Sequence, residues 1–408
     1  MMSRSLTLLL LALAALAQAD DVKKRDTLAS LEDKQVEIRK GNVIVGSTDR
    51  ARDQYRSFLE LASDDPELRA EAMRRLGDLE LDATEAEQLA ANVDTLNHAS
   101  FNNAVQLYQQ LLESYPDYRR NDTVLYQLAR AYEIGGQTDE ALEVLDELVT
   151  KFPDTPMIDE AQFRRGEMLF LRKRYNEAEM AYQDVVAYGS EGKFYEQSIY
   201  KLGWSQFKLA WFEDSLGSFF ELLDRKIADI EIQDGDNRFE QLSRANQELV
   251  EDTFRVLSIS FSYMDGADSI TDFLDERGRP GYAWVVFMNL GDLYLEKERF
   301  QDAAQTYEAF VEQDPFHPKS PLLQVELIES YKRGGFPSLV LEGKKAFVER
   351  YGMDGQFWVR NARAENPGVE SHLKTNLNDL AKYYHAEAQR DGKRADYQDC
   401  LLYTSDAA

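Results

Sequence analysis

The sequence predicts an all-α fold, a solenoid of stacked helical hairpins, and three observations carry that prediction. The stretches FNNAVQLYQQLL, TDEALEVLDELV, YNEAEMAYQDVV and FEDSLGSFFELL place a small residue at Ala104, Ala141, Ala178 and Ser215, at a constant interval of 37 residues. A second small residue stands twelve positions before three of these, at Ala129, Gly166 and Gly203, and the pair recurs later as Gly291 and Ala303. Pro116, Pro153 and Pro315 each lie twelve residues past the second small residue, where proline stops a helix and turns the chain. A fixed period of this length is the mark of repeats that bury their apolar faces against their neighbours.

Each unit reads as a helix, a short turn and a second helix. Antiparallel helices cross closely only where side chains are small, which explains Gly, Ala or Ser at both marked positions. Large residues four and seven places after the second small one, such as Tyr182 with Val185 or Tyr307 with Phe310, share a helical face and are expected to pack against the neighbouring unit. The clearest units span 125–153, 162–190, 200–223 and 287–315. Upstream, Ala51, Tyr55 and Phe58 predict a second helix, followed by a first helix over 72–81 with Gly77 at its crossing. Gly77 and Ala104 are 27 residues apart instead of twelve, so 82–96 reads as an insertion that caps or bulges from the stack. An irregular segment, 224–241, precedes a degenerate unit over 249–274. Leu327 with Tyr331 opens a further unit, and 373–384 begins the last of about eight.

The two ends read differently. Arg4, an apolar run from Leu6 to Leu16 and the small-x-small Ala17, Gln18, Ala19 predict a cleaved secretory signal peptide over 1–19, too short to span a membrane. Residues 20–46 are then a lead-in to the solenoid at 47–399. No cysteine at the cleavage junction could take a lipoprotein lipid. Cys400 is the single cysteine, so no disulfide framework is expected in an oxidising compartment. Tyr397 precedes position 400 as Tyr175 precedes Ala178 and Phe300 precedes Ala303, so the register expects a small residue there. The chain instead ends in CLLYTSDAA, which looks like the translation of a transposase-end sequencing adapter. The expectation is an assembly artefact over 400–408 on a truncated last repeat, with no redox or catalytic role for Cys400.

Lys and Arg number 47 against 74 Asp and Glu, a net charge of −27. Such a surface repels phosphate backbones and anionic headgroups, so the expected partner is a neutral or basic protein or peptide, with no nucleic acid and no direct membrane insertion. His98, His317, His372 and His385 form no metal-ligand pair one helical turn apart. The acidic DGDN at 234–237 lacks the spacing of a calcium loop. No phosphate-cradling glycine loop, nucleophile elbow or paired cysteine motif is present. No catalytic residue, cofactor or metal is therefore expected, and the chain reads as not an enzyme.

Together the small, aromatic and proline positions resemble the tetratricopeptide repeat family, whose unit is a helical hairpin of about 34 residues. The resemblance covers 47–399 and implies a right-handed α-solenoid; the longer period predicts slightly elongated helix pairs. In that family the first helix of each unit lines a concave groove at the residues three before, one after and four after the crossing. Carried onto this sequence, these candidate partner-binding positions are Tyr126, Arg130 and Glu133; Phe163, Glu167 and Phe170; and Tyr200, Trp204 and Phe207. Aromatic and Arg anchors of this kind carry much of the binding energy of protein interfaces. Some members hold carboxylate tails with a lysine and asparagine clamp; here Tyr126, Phe163 and Tyr200 stand where its lysine would. The signal peptide and acidic repeats are similar to exported repeat proteins of double-membraned bacteria that accompany outer-membrane assembly or the TonB and Tol systems. That similarity implies a non-catalytic periplasmic scaffold for a cell-envelope machine; the alternative is the recognition arm of a longer envelope enzyme.

Overall fold

A computed structural model describes residues 45–61, 65–90, 98–230, 232 and 238–391. The signal segment, nearly all of the lead-in, the DGDN stretch and 400–408 with Cys400 lie outside the described residues. The chain divides into two units after Ser63. The first holds one described helix, α1 (Val45–Glu60), where Ala51, Tyr55 and Phe58 predict it.

The second unit is an all-α solenoid, with no strand among the described residues. Its hairpins are α2 (Pro66–Ala90) with α3 (His98–Ser114), α4 (Asn121–Ile134) with α5 (Thr138–Lys151), and α6 (Ile158–Leu171) with α7 (Tyr175–Ala187). Then follow α8 (Tyr195–Lys208) with α9 (Phe212–Ile227), and α10 (Arg244–Tyr263) before α11 (Ala267–Arg277). α12 (Ala283–Glu296) pairs with α13 (Phe300–Gln313), and α14 (Ser320–Arg333) with α15 (Pro337–Tyr351). A short helix α16 (Gln356–Arg360) leads to the final α17 (Pro367–Asp391). From Leu216 in α9 to Leu377 in α17 the buried apolar side chains form one continuous cluster.

Within five hairpins the turn follows one design. Its middle residue is left-handed: Gly136 at φ 73°, Lys173 at 61°, Ala210 at 60°, Glu298 at 57° and Gly335 at 74°. That conformation lets the next amide reach back into the first helix, as Gln137 N donates to Tyr132 O at 2.8 Å and Arg174 N to Leu169 O at 3.0 Å. Orphan carbonyls at the helix end are thereby satisfied.

The extra length of the period lies in the links between units, which corrects the expectation of elongated helices. α4 and α5 have 14 residues each, around a three-residue turn at 135–137. The link at 152–157 then takes two successive turns, Thr155 N to Phe152 O and Ile158 N to Thr155 O, both at 3.1 Å. The links before α4 and α14 repeat this pattern: Tyr118 N donates to Tyr115 O and Asn121 N to Tyr118 O, and His317 N donates to Asp314 O and Ser320 N to His317 O.

Each glycine crossing is closed by a ring of its own unit. A methyl added at Gly77, Gly166 or Gly291 would come within 2.6, 2.6 or 2.3 Å of the ring of Tyr108, Tyr182 or Tyr307, and one at Gly203 within 2.9 Å of Phe219. These rings therefore pack inside their own hairpin, a contact that the shared-face argument does not expect. Phe310 does the same, its ring centroid 5.5 Å from Phe287 of α12. Glycine inside a helix costs about 1 kcal/mol, and full burial of a large ring contributes about 2–3 kcal/mol, so the exchange favours the hairpin. In α4–α5, Ala129 stands at the glycine position and the smaller Leu145 at the ring position, both buried. In α14–α15 the sizes invert: Ile328 occupies the first-helix position and Gly343 of the second helix accommodates it.

Two irregular regions differ from the sequence expectation. The residues after Gly77 do not bulge before Ala90; α2 continues as one helix and buries Leu81 and Thr84. In the degenerate unit, Ser258 and Ile270 hold the crossing positions, and Ile270 is fully buried. With the bulky Ile270 at the crossing, α11 makes only sparse contact with α10, α12 and α13 alike, although its Phe273 still meets Phe261 of α10 edge-on at 6.3 Å. α17 buries Leu373, Leu377, Leu380 and Ala388 along one face and exposes Lys374, Asn378, Lys382 and Gln389 on the other.

Candidate functional site

All nine sequence-predicted positions lie on α4, α6 and α8, and the crossings hold them. Tyr182, seated on Gly166, donates its hydroxyl to Glu167 at 2.5 Å and lies 6.1 Å from the Phe163 ring. Phe219, seated on Gly203, meets Tyr200 and Trp204 edge-on at 6.2 and 6.3 Å. In α6–α7 and α8–α9 the ring that closes the hairpin therefore also contacts the row.

The charged and hydroxyl groups of the row pair from one first helix to the next. Arg130 of α4 forms an ion pair with Glu85 of α2. Arg164 of α6 donates to Glu133 of α4 at 2.7 Å and also binds Glu160. Lys201 of α8 reaches Glu167 of α6 at 3.0 Å, and the Tyr200 hydroxyl donates to Asp252 of α10 at 2.6 Å. Burial, reinforced by hydrogen bonds to Glu160 and Asp252, pushes the Tyr126 and Tyr200 hydroxyls up to about 12. Burial works against ionised Glu160, but hydrogen bonds from Tyr126 and Arg164 outweigh it and hold that carboxyl below its ordinary range. Both phenols stay protonated at neutral pH and act as donors.

Tyr126 is buried; the other five row aromatics are half-buried. Phe163 stacks on Phe194 with centroids 5.0 Å apart, and Phe170 meets Tyr175 edge-on at 5.3 Å. Trp204 and Phe207 lie 5.6 Å apart, with the Lys208 ammonium above both. Phe207, Phe212 and Tyr263 then form a three-ring cluster whose outer member, Tyr263, is 66% exposed.

Sequence reasoning missed Arg164, Lys201, Asp252, Phe194 and the Tyr263 cluster. A signal existed for two of them, since Arg164 and Lys201 both stand two residues before a crossing glycine. Among the described residues no group of three or more His, Cys, Asp or Glu could hold a metal ion, and no helix is long and apolar enough to cross a membrane. His317 accepts the Lys319 amide at 3.1 Å through Nδ1 in the link before α14, a structural contact.

Residues 98–164 and 263–319 each match a tetratricopeptide repeat family. Those two segments carry tetratricopeptide repeats. Solved structures similar to it include a tetratricopeptide repeat protein from Parabacteroides merdae, 13% identical, covering 73% of this chain and 99% of that one at a TM-score of 0.31. PilF of Pseudomonas aeruginosa is 13% identical over 79% of this chain and 98% of its own, TM-score 0.28. PilW, described as a widely conserved type IV pilus biogenesis factor, is 11% identical over 70% and 97%, TM-score 0.30. No curated protein matches the chain. Tetratricopeptide repeats generally mediate protein binding and are typically non-catalytic.

Proposed function

We propose that this chain is a non-catalytic scaffold that captures a neutral or basic peptide or partner helix along the first-helix row from Tyr126 to Phe207. The observation that carries the reading is the run of half-buried rings at Phe163, Phe170, Tyr200, Trp204 and Phe207 on consecutive first helices. Rings held this way lose little conformational entropy on binding and present apolar faces between satisfied charges. Arg130, Arg164 and Lys201 already pair with carboxylates, and the whole chain is acidic, so the field disfavours an acidic peptide. The signal-like segment at 1–19 supports export, and we place the scaffold in the periplasm, serving a cell-envelope machine of the outer-membrane-assembly or TonB and Tol kind.

A peptide library displayed on phage and selected on the full chain tests the row. Selected peptides are expected to bind a Phe163→Ala, Trp204→Ala double variant at least about tenfold more weakly, with its helicity retained. Equal affinity for both proteins would contradict the site. Fusing 1–46 to a reporter active only outside the cytoplasm tests export.

A further inference from the structure

At the α10 end of the row, the ring cluster of Phe207, Phe212 and Tyr263 differs from the steps before it. Between successive first helices, a cation of the later helix lies over a ring of the earlier one. The Arg164 guanidinium of α6 is 5.9 Å from the Tyr126 centroid, the Lys201 ammonium of α8 is 5.3 Å from that of Phe170, and the Arg255 guanidinium of α10 is 6.0 Å from that of Trp204. Each of these cations also meets a carboxylate, at Glu160, Glu167 and Asp252. A ring and a carboxylate together are thus how this row seats a cation.

The next step breaks the series. Arg164 and Lys201 stand two residues before their crossings and Arg255 three before Ser258, but two and three residues before Gly291 the helix α12 has Asn289 and Met288. Asn289 donates its amide to Val285 O at 2.8 Å, and Met288 is buried. Lys208 lies over Phe207 and Trp204, and among the described residues no lysine or arginine lies over Phe212 or Tyr263. These two rings are 5.7 Å apart and inclined by only 31°, and Tyr263 presents most of its surface to solvent. Glu213 and Asp214 directly follow Phe212 in the first turn of α9; both are exposed, and their side chains form no hydrogen bond or ion pair among the described residues.

We propose that Tyr263 and Phe212 seat an arginine of the partner, its guanidinium stacked on the Tyr263 ring and its charge balanced by Glu213 and Asp214. The planar, weakly hydrated head of arginine lies flat on a ring as the compact ammonium of lysine does not. A net charge of −27 favours the same choice. The inference rests on the row as the partner's track and adds to it a basic residue that the partner carries at the α10 end.

Fluorescence polarisation with two labelled octapeptides tests it on the full chain: one alternates arginine with serine, and the other carries citrulline, which keeps the shape of arginine without its charge. The arginine peptide is expected to bind, and Tyr263→Leu to weaken it about fivefold with helicity retained. That substitution leaves the net charge unchanged, so a general attraction to the acidic surface persists and the loss reads the ring alone. The citrulline peptide should bind at least about tenfold more weakly than the arginine peptide. No binding of the arginine peptide, or an affinity untouched by Tyr263→Leu, overturns the seat. Equal affinity for the two peptides overturns the need for a cation. Neither peptide has an apolar side chain, so a failed seat is distinguishable from a failed row, which the Phe163→Ala, Trp204→Ala variant reads with its own selected peptides.

Discussion

The hairpin α8–α9 and the degenerate pair α10 and α11 follow one another in the chain, keep the same twelve-residue offset, and close to very different extents. In the first, Gly203 and Ser215 face each other, the Ser215 hydroxyl donates to Gly203 O at 2.9 Å, and Phe219 closes over the glycine. In the second, Ser258 and Ile270 occupy those positions, and α11 contacts α10 only sparsely. Both pairs are apolar at the interface and both are helical. Residue size at the second crossing position separates this closed pair from this open one, whereas at the inverted crossing of α14–α15 Gly343 makes the room that Ile328 needs. The closed hairpins carry the aromatic row, since their crossing rings support Phe163, Tyr200 and Trp204.

The largest effect should come from filling a closed crossing. Gly291→Ala brings a methyl against Tyr307 and is expected to destabilise by about 1–3 kcal/mol, even after its gain in helix propensity. Ser258→Ala, at the same register position of the open pair, should change stability by less than about 1 kcal/mol. Urea melts of the two variants measure the contrast directly. Next in size, Tyr307→Phe removes the hydroxyl that donates to Asp292 at 2.9 Å and should cost about 1 kcal/mol. Smaller gains should come from the hairpin turns, where Lys173, Ala210 and Glu298 hold left-handed φ angles. Replacing each by Gly relieves that strain and is expected to stabilise by about 0.5–1 kcal/mol; the turn between α10 and α11 already has Gly266 at φ 64°.

A pH effect sharpens the same comparison. Burial raises the Asp292 carboxyl above its ordinary value of 3.8, although the Tyr307 hydroxyl and Arg238 oppose the shift. An acid raised on folding stabilises the fold while protonated, and that contribution disappears as pH climbs from the unfolded value through the folded one. Asp292→Asn should therefore raise the melting temperature at neutral pH, and its advantage should vanish below the ordinary carboxylate range. An advantage that persists unchanged in acid would contradict burial as the cause.

Much of the fold was legible because small residues at two positions declare a helix crossing whatever surrounds them. The extra three residues of the period were misplaced because a period counts helix and link residues alike. Spacing put Tyr182 on a helical face, but it could not tell its own partner helix from the next unit. The inverted crossing at Ile328 and Gly343 hid for a related reason, since either helix can supply the small side. For the candidate site, the offset from each crossing located the row on α4, α6 and α8. The ion pairs between Arg164 and Glu133 or Lys201 and Glu167 depend on the stagger of successive units, which one helix's sequence does not encode.

The most direct test is a double-mutant cycle at one closed crossing, with Gly166→Ala, Tyr182→Leu and both together measured by urea unfolding of the full chain. Size matching predicts that leucine makes room for the methyl, so the double variant should be about 1–2 kcal/mol more stable than the sum of the single losses implies. Losses that simply add would mean that Gly166 and Tyr182 are not matched to each other, and that the crossing does not set how closely the hairpin closes.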